Sequence, residues 1–216
     1  MMKQQDTFRH QGMRQRMVDE LRKKGIDNRA VLDAIGAVPR HCFLDSVFDA
    51  RAYQDIAIPI GDGQTISRPL TVASQSALLE VFPDARILEV GTGSGYQSMV
   101  LDKMGAEVYT IERQRNLYVK TKALFDSFKS RIHCYYGDGY KGLPQFAPFD
   151  RILVTCGAAD FPKELFAQLA IGGIMVIPLG SPKQVMTKVV RISETDMETS
   201  EHGDFTFVPM LSKKSG

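Results

Sequence analysis

Cysteine is scarce in this chain. Its 216 residues include three, Cys42, Cys134 and Cys156, far apart and odd in number. That pattern offers no metal-ligand spacing, so no metal is expected, and it suits reduced thiols in a cytoplasmic protein. Charge of one sign is lacking too: 27 Lys and Arg against 25 Asp and Glu leave a net +2. So even a balance gives no strong pointer to nucleic acid. No apolar run approaches the length that crosses a membrane, and the start is too polar for a signal peptide. Neither membrane insertion nor secretion is therefore expected. Histidine is scattered, at His10, His41, His133 and His202, and each reads as structural or exposed. There is no internal repeat and no low-complexity stretch.

Locally the balance tilts. Lys3, Arg9, Arg14, Arg16, Arg22, Lys23 and Lys24 face only Asp6, Asp19 and Glu20 at the start of the chain. A solvated helix face explains such a run, and a nucleic-acid arm is the sharper alternative. Residues 7–24 read as a helix with Met13, Met17, Val18 and Leu21 on one stripe, closed by Gly25. Asp27 or Asn28 caps a second helix carrying Val31, Leu32, Ile35 and Val38, and Pro39 ends it. Residues 56–60 suggest a short extended segment, and Gly61-Asp62-Gly63 a loop. Residues 64–69 read as a polar loop before a helix that starts at Pro69 and carries Val72 to Phe82.

From residue 86 the pattern alternates. Strands over 87–90, 108–111, 132–136, 151–155 and 174–177 are separated by helices over 96–104, 115–128 and 162–169, with Gly172-Gly173 as a turn. Such alternation predicts an α/β fold with a parallel sheet covered on both faces. After Pro178 it stops, and 185–192 and 205–210 read as an antiparallel pair at the sheet's edge.

Ligands of open parallel sheets sit beyond the carboxyl ends of the strands. Here those ends carry Glu89 with Gly91, Thr92, Gly93, Ser94 and Gly95, then Glu112, then Asp138-Gly139, then Thr155-Cys156-Gly157. Glu112 follows Gly91 by roughly the twenty residues expected of a ribose-binding acid. Asp138 suits an adenine amino group, and Glu89 could balance a cationic amino-acid tail. A dinucleotide fingerprint needs G-x-G-x-x-G, but Tyr96 stands where spacing would continue and the third glycine comes one residue early. Three acids at strand ends and no P-loop lysine favour S-adenosylmethionine as cofactor. A tight turn in any α/β protein remains the plain alternative for the glycines taken alone.

At this point the sequence resembles the protein-L-isoaspartate O-methyltransferases. Residues 89–96 look like the class I methyltransferase glycine motif. More distinctive are Val38-Pro39-Arg40, Ile58-Pro59-Ile60-Gly61, Gln64-Thr65-Ile66-Ser67, Gly137-Asp138-Gly139 and Phe207-Val208-Pro209, which together span nearly the whole chain. The resemblance implies a Rossmann-like class I methyltransferase fold. Its mostly parallel seven-stranded sheet would be flanked by helices, with an N-terminal helical extension and a C-terminal antiparallel strand pair. It implies one domain, with the extension and substrate loop over 1–84, the cofactor core over 85–180 and the final strands over 181–216. It further implies methyl esterification of the α-carboxylate of L-isoaspartyl residues in damaged proteins and peptides, by a monomer. Gln64, Thr65, Ile66, Ser67 and Val208 would meet that substrate, Arg113 would join the cofactor set, and Ser212 would lie nearby.

Ser67 is the expected catalytic residue. A carboxylate with a pKa near ~4 is already ionised at neutral pH and needs no general base. The remaining task is alignment with the methyl donor and exclusion of water. The Ser67 hydroxyl can donate a hydrogen bond to the accepting carboxylate, although a turn residue before Pro69 is its plain reading. Cys156 departs from the small residue many relatives carry. Rival readings are another class I methyltransferase and a binding protein that keeps the fold. Residues 155–158 lack the Asn/Asp-Pro-Pro-aromatic motif expected of an amine or base methyltransferase.

Overall fold

A computed structural model describes residues 5–215, so Lys3 lies outside the described residues. The chain opens with α1, Phe8–Lys23. Thr7 caps it: its hydroxyl accepts the His10 N–H at 3.4 Å, and its own N–H donates to His10 Nδ1 at 3.3 Å. Of the two candidate caps for α2, Arg29–Ala37, Asn28 is the one used, accepting the Val31 N–H at 3.1 Å. One apolar cluster joins Leu21 of α1, Ile35 of α2 and Val72 of the next helix to Met99 and Phe125. The N-terminal helices therefore share a core with the helices on one face of the main sheet.

That sheet has seven strands in the order β5-β4-β3-β6-β7-β8-β9. They are β3 Arg86–Val90, β4 Glu107–Glu112, β5 His133–Tyr136, β6 Phe149–Val154, β7 Leu169–Leu179, β8 Gln184–Arg191 and β9 Met197–Phe205. The pairs from β5 to β7 are parallel, and β7-β8 and β8-β9 are antiparallel. Helices α4 Tyr96–Lys103, α5 Arg115–Ser127 and α6 Lys163–Ala167 complete the alternation. Along β3, Ile87 packs into one apolar cluster and Leu88 and Val90 into another, as period-two alternation requires of a strand covered on both faces. From β3 the chain runs through β4 and β5 to one edge and then crosses to β6 on the other side of β3, so the crevice at the carboxyl end of β3 is the sheet's switch point.

Four sequence expectations need correction. Residues 64–66 are not loop: β1 Ile58–Gly61 and β2 Gln64–Ile66 form an antiparallel hairpin, with Ile58 opposite Ile66. The polar side chains hid a strand too short to show alternation. Helix α3, Pro69–Leu78, ends before Phe82 because Glu80 takes a positive φ of 51°, which no helix continues. Gly172-Gly173 is an irregular bulge inside β7, where the register against β6 shifts between Phe149 and Arg151. The last strand is β9 rather than 205–210. Eight of its nine residues are exposed, so hydrophobic alternation is absent, and its charges suit an outer edge. Residues 206–210 instead run beside Gly157, whose N–H donates to Val208 O at 2.9 Å and whose carbonyl accepts the Met210 N–H at 2.7 Å.

Candidate functional site

The turn after β3 is tied down on every side. Gly91 N–H donates to Ile111 O of β4 at 3.0 Å, and the Thr155 hydroxyl at the end of β6 donates to Gly91 O at 2.6 Å. Gly91 has a φ of +100°, and a Cβ there would meet Thr155 Oγ1 at 2.5 Å. Gly95 has a φ of +83° and touches α5 so closely that a Cβ would lie 2.6 Å from Thr121 Cγ2. Both positions thus require glycine for conformation and space. The Glu112 carboxylate accepts the Gly93 N–H at 2.8 Å, and the Thr121 hydroxyl donates to Gly93 O at 2.7 Å.

Beside this turn lies a cleft with about 840 Å³ of unfilled space, the open solvent at its mouth included. Gly91, Thr92, Gly93 and Ser94 line it, with Glu112 at the end of β4, Arg113 just after it and Gly139 after β5. The opposite wall is Gln64, Thr65, Ile66 and Ser67, and Val208 with Met210 closes another side. The structure therefore brings together the glycine turn and the distant 64–67 segment. Thr65, Ser67 and Val208 also line a neighbouring groove that reaches Arg68 and Asp204.

Three expected residues do not line this cleft. Gly95 lies behind the turn, against α5. Asp138 turns its carboxylate to the Tyr140 N–H at 3.0 Å and the Lys213 N–H at 2.8 Å. Glu89 is fully buried, because its position in β3 puts its side chain under α4, where the Ser98 hydroxyl donates to one oxygen. The other oxygen has no partner. Burial pushes the Glu89 carboxyl up to about 7, opposed by the hydrogen bond from Ser98. Glu89 therefore makes no contact with the cleft.

A family model for protein-L-isoaspartate(D-aspartate) O-methyltransferase matches residues 12–215. The chain belongs to this family. A protein-L-isoaspartate O-methyltransferase from Flavobacterium johnsoniae is 57% identical over 97% of this chain and 99% of its own length. One from Chlorobaculum tepidum is 44% identical over 93% of this chain and 95% of its own. Among solved structures, a protein-L-isoaspartate O-methyltransferase superposes with a TM-score of 0.84 at 26% identity, covering 91% of this chain and 65% of that one. A Plasmodium falciparum structure described as a β-aspartate methyltransferase in complex with S-adenosyl-L-homocysteine gives 0.81 at 23% identity, covering 92% and 98%.

For a member of this methyltransferase family, the site holds residues the sequence did not single out. Tyr96 and Gln97 at the start of α4 and Gln114 after β4 also line the cleft. Their one signal was position, directly after the glycine turn and after the strand-end acid. Residues 211–215 pass beside the Arg113 and Asp138 end, where Arg113 Nε donates to Lys213 O at 3.0 Å and Ser215 N–H to Arg113 O at 2.9 Å. Nothing in the polar tail announced that path. Cys156 lines the cleft, and burial pushes its thiol up to about 12, which keeps it a neutral packing group.

Proposed function

We propose that this protein transfers a methyl group from S-adenosylmethionine to the α-carboxylate of L-isoaspartyl residues in proteins and peptides. The observation that carries the reading is that Ser67 and the glycine turn line one cleft. The site suits the cofactor. Glu112 has lone pairs left for ribose hydroxyls after accepting two backbone N–H groups. The glycine positions leave no room for a Cβ on the side packed against Thr155 and α5. When bound, the cofactor supplies an already activated methyl on a sulfonium.

The chain's own residues then have a positioning task. The Ser67 hydroxyl donates to the accepting carboxylate and fixes which oxygen faces the methyl. Apolar Ile66, Val208 and Met210 keep water from that oxygen, which strengthens it as a nucleophile. No proton has to be removed, so no histidine or lysine base is required. Bond formation at the carboxylate oxygen and loss of the thioether complete the step. The neighbouring backbone amide nitrogen can then attack the ester carbonyl and expel methanol, giving a succinimide whose hydrolysis returns part of the material to aspartate.

The free surface fits a small, unaided enzyme. Five of the basic residues in the first helix region pair with acids: Arg9 with Asp49, Arg14 with Asp6, Arg22 with Asp19, Lys23 with Glu20 and Lys24 with Asp55. Those pairs favour a structural role for the basic start over a nucleic-acid arm. No helix among the described residues is long and apolar enough to cross a membrane. The scarcity of cysteine suits a reducing, cytoplasmic setting, and we take the protein to act as a monomer. The test uses two synthetic peptides differing only in isoaspartate or aspartate at one position. Labelled methyl should reach the first alone; equal labelling, or none, overturns the reading.

A further inference from the structure

Arg40 lies in the turn after α2 and is the largest fully buried side chain of the described residues. It has no ion-pair partner among them. Asp55, the carboxylate whose charge it feels most, is bonded to Lys24 Nζ at 2.8 Å and to the Leu70 N–H at 2.9 Å. A buried guanidinium without a counter-ion is unfavourable unless its N–H groups are used. Two of its three nitrogens are used. Nε donates to Ala52 O at 2.9 Å, and Nη2 donates to Ser67 O at 2.7 Å. The third, Nη1, and the buried Tyr96 hydroxyl bond to no other group, and the Tyr96 side chain is the largest favourable influence on the Arg40 charge. The guanidinium carbon sits 4.7 Å from the centre of the Tyr96 ring, a cation–π contact.

The placement is specific. Ser67 and Tyr96 are both in the cleft wall, one from the 64–67 segment and one directly after the glycine turn. Arg40 is not in the wall; it stands behind it and touches both. Any neutral donor could satisfy the Ser67 carbonyl. A planar fork stacked on Tyr96 does more, because it sets the distance between the two halves of the site. Lysine carries the same charge but cannot span the Ala52 carbonyl, the Ser67 carbonyl and the ring at once.

We propose that Arg40 is a positioning residue for methyl transfer: it holds the Ser67 peptide against the Tyr96 ring, so that a carboxylate bonded to Ser67 is aligned with a donor held at the glycine turn. This rests on the function proposed above. It acts through Ser67 and touches neither substrate nor cofactor.

The experiment compares the full-length protein with Arg40→Lys and Arg40→Met. Melting temperature and S-adenosylhomocysteine affinity establish that each variant is folded with an intact cofactor half. Steady-state methylation of the isoaspartyl peptide then gives kcat and KM. The expected result is a kcat about 10- to 100-fold lower in both variants, as small misplacements produce, with KM and product affinity within about threefold of wild type. Rescue by lysine, or a parallel loss of product affinity, overturns the proposal, since charge alone or general packing would then explain Arg40. A second readout needs no variant. In wild-type protein saturated with S-adenosylhomocysteine, the 15N resonance of the buried Arg40 Nε–H should shift on adding the isoaspartyl peptide and not the aspartyl one. An unmoved resonance overturns the proposal. If wild type fails to methylate the isoaspartyl peptide, the proposed function falls; if wild type works and Arg40→Lys matches its kcat, only the role of Arg40 falls.

Discussion

One oxygen of Glu112 accepts the Gly93 N–H at 2.8 Å and the other accepts the Gln114 N–H at 2.8 Å. The acid at the end of β4 therefore shapes the turn after β3 before any ligand arrives. Removing it unties the turn and removes the carboxylate facing the cleft. Hydrogen bonds to charged groups contribute about 1.5–3 kcal/mol each. Glu112→Ala should weaken S-adenosylhomocysteine binding by roughly 10- to 100-fold, measured by calorimetry. Unchanged affinity would remove Glu112 from the cofactor site.

Ser67→Ala should behave in the opposite way. Its hydroxyl has no hydrogen-bond partner within the described protein, so removing it should disturb the fold little. What is lost is one charge-assisted hydrogen bond to the accepting carboxylate. We expect kcat/KM for the isoaspartyl peptide to fall about tenfold or more, with product affinity unchanged. A variant that loses product affinity but not rate would show that Ser67 serves the cofactor.

The sequence made the cofactor half legible because its chemistry is local. Glycines at 91, 93 and 95 and the acid at 112 follow directly from strand ends, and strand ends are visible as short apolar runs. What stayed hidden depends on contacts distant in the chain. Glu89 precedes the glycines in sequence, yet strand alternation turns it under α4 towards Ser98. Asp138 is taken by Lys213, 75 residues away. Arg40 shows in sequence as part of Val38-Pro39-Arg40 but with nothing to name its partner; its bond to Ser67 crosses 27 residues. β9 escaped because an exposed edge strand needs no apolar face.

The Lys213 contact with Asp138 anchors the tail next to Arg113, which lines one part of the cleft. Lys213 O also accepts from Arg113, Ser215 O from the Tyr136 hydroxyl at 2.9 Å, and the Lys214 ammonium lies 4.8 Å from the Tyr136 ring centre. A chain ending at Leu211 should fold normally and release S-adenosylhomocysteine several-fold faster in stopped-flow displacement. An unchanged off-rate would assign the tail no part in retention.

The N-terminal helix should loosen in mild acid. His10 and His41 stack with ring centres 3.8 Å apart; His10 Nε2 is 2.7 Å from Asp49 Oδ1, and His41 Nδ1 is 2.7 Å from the Tyr53 hydroxyl. Burial, then the neighbouring His10, lowers the His41 pKa below 6.5. The unfolded chain therefore takes up that proton first, so stability is complete above about pH 6.5 and falls as pH drops towards the folded pKa. The hydrogen bond from Arg14 holds Asp6 below its usual range, and bonds from His10 hold Asp49 low against burial, which adds loss at still lower pH. His41→Gln should flatten the decline in melting temperature between pH 7 and 5. An unchanged slope would place the acid sensitivity elsewhere.

Glu89 should give the reverse dependence. Its folded carboxyl titrates at about 7 against an ordinary 4.5, because burial disfavours the charge. The folded state binds the extra proton between those values, so stability is full below about pH 4.5 and is lost as pH rises towards 7. The shift corresponds to a loss on the order of 3 kcal/mol. Glu89→Gln keeps an acceptor for Ser98 and removes the charge, so its melting temperature should exceed wild type by a margin that grows from pH 5 to pH 8. The charge has a use if a cation binds nearby. S-adenosylmethionine is cationic and S-adenosylhomocysteine is not, so binding the former at pH 7 should draw a proton off Glu89. Calorimetry in buffers of different ionisation enthalpy should detect more proton release with S-adenosylmethionine than with S-adenosylhomocysteine, and the difference should vanish in Glu89→Gln. Equal release from both ligands in wild type would mean that the buried carboxyl does not sense the sulfonium.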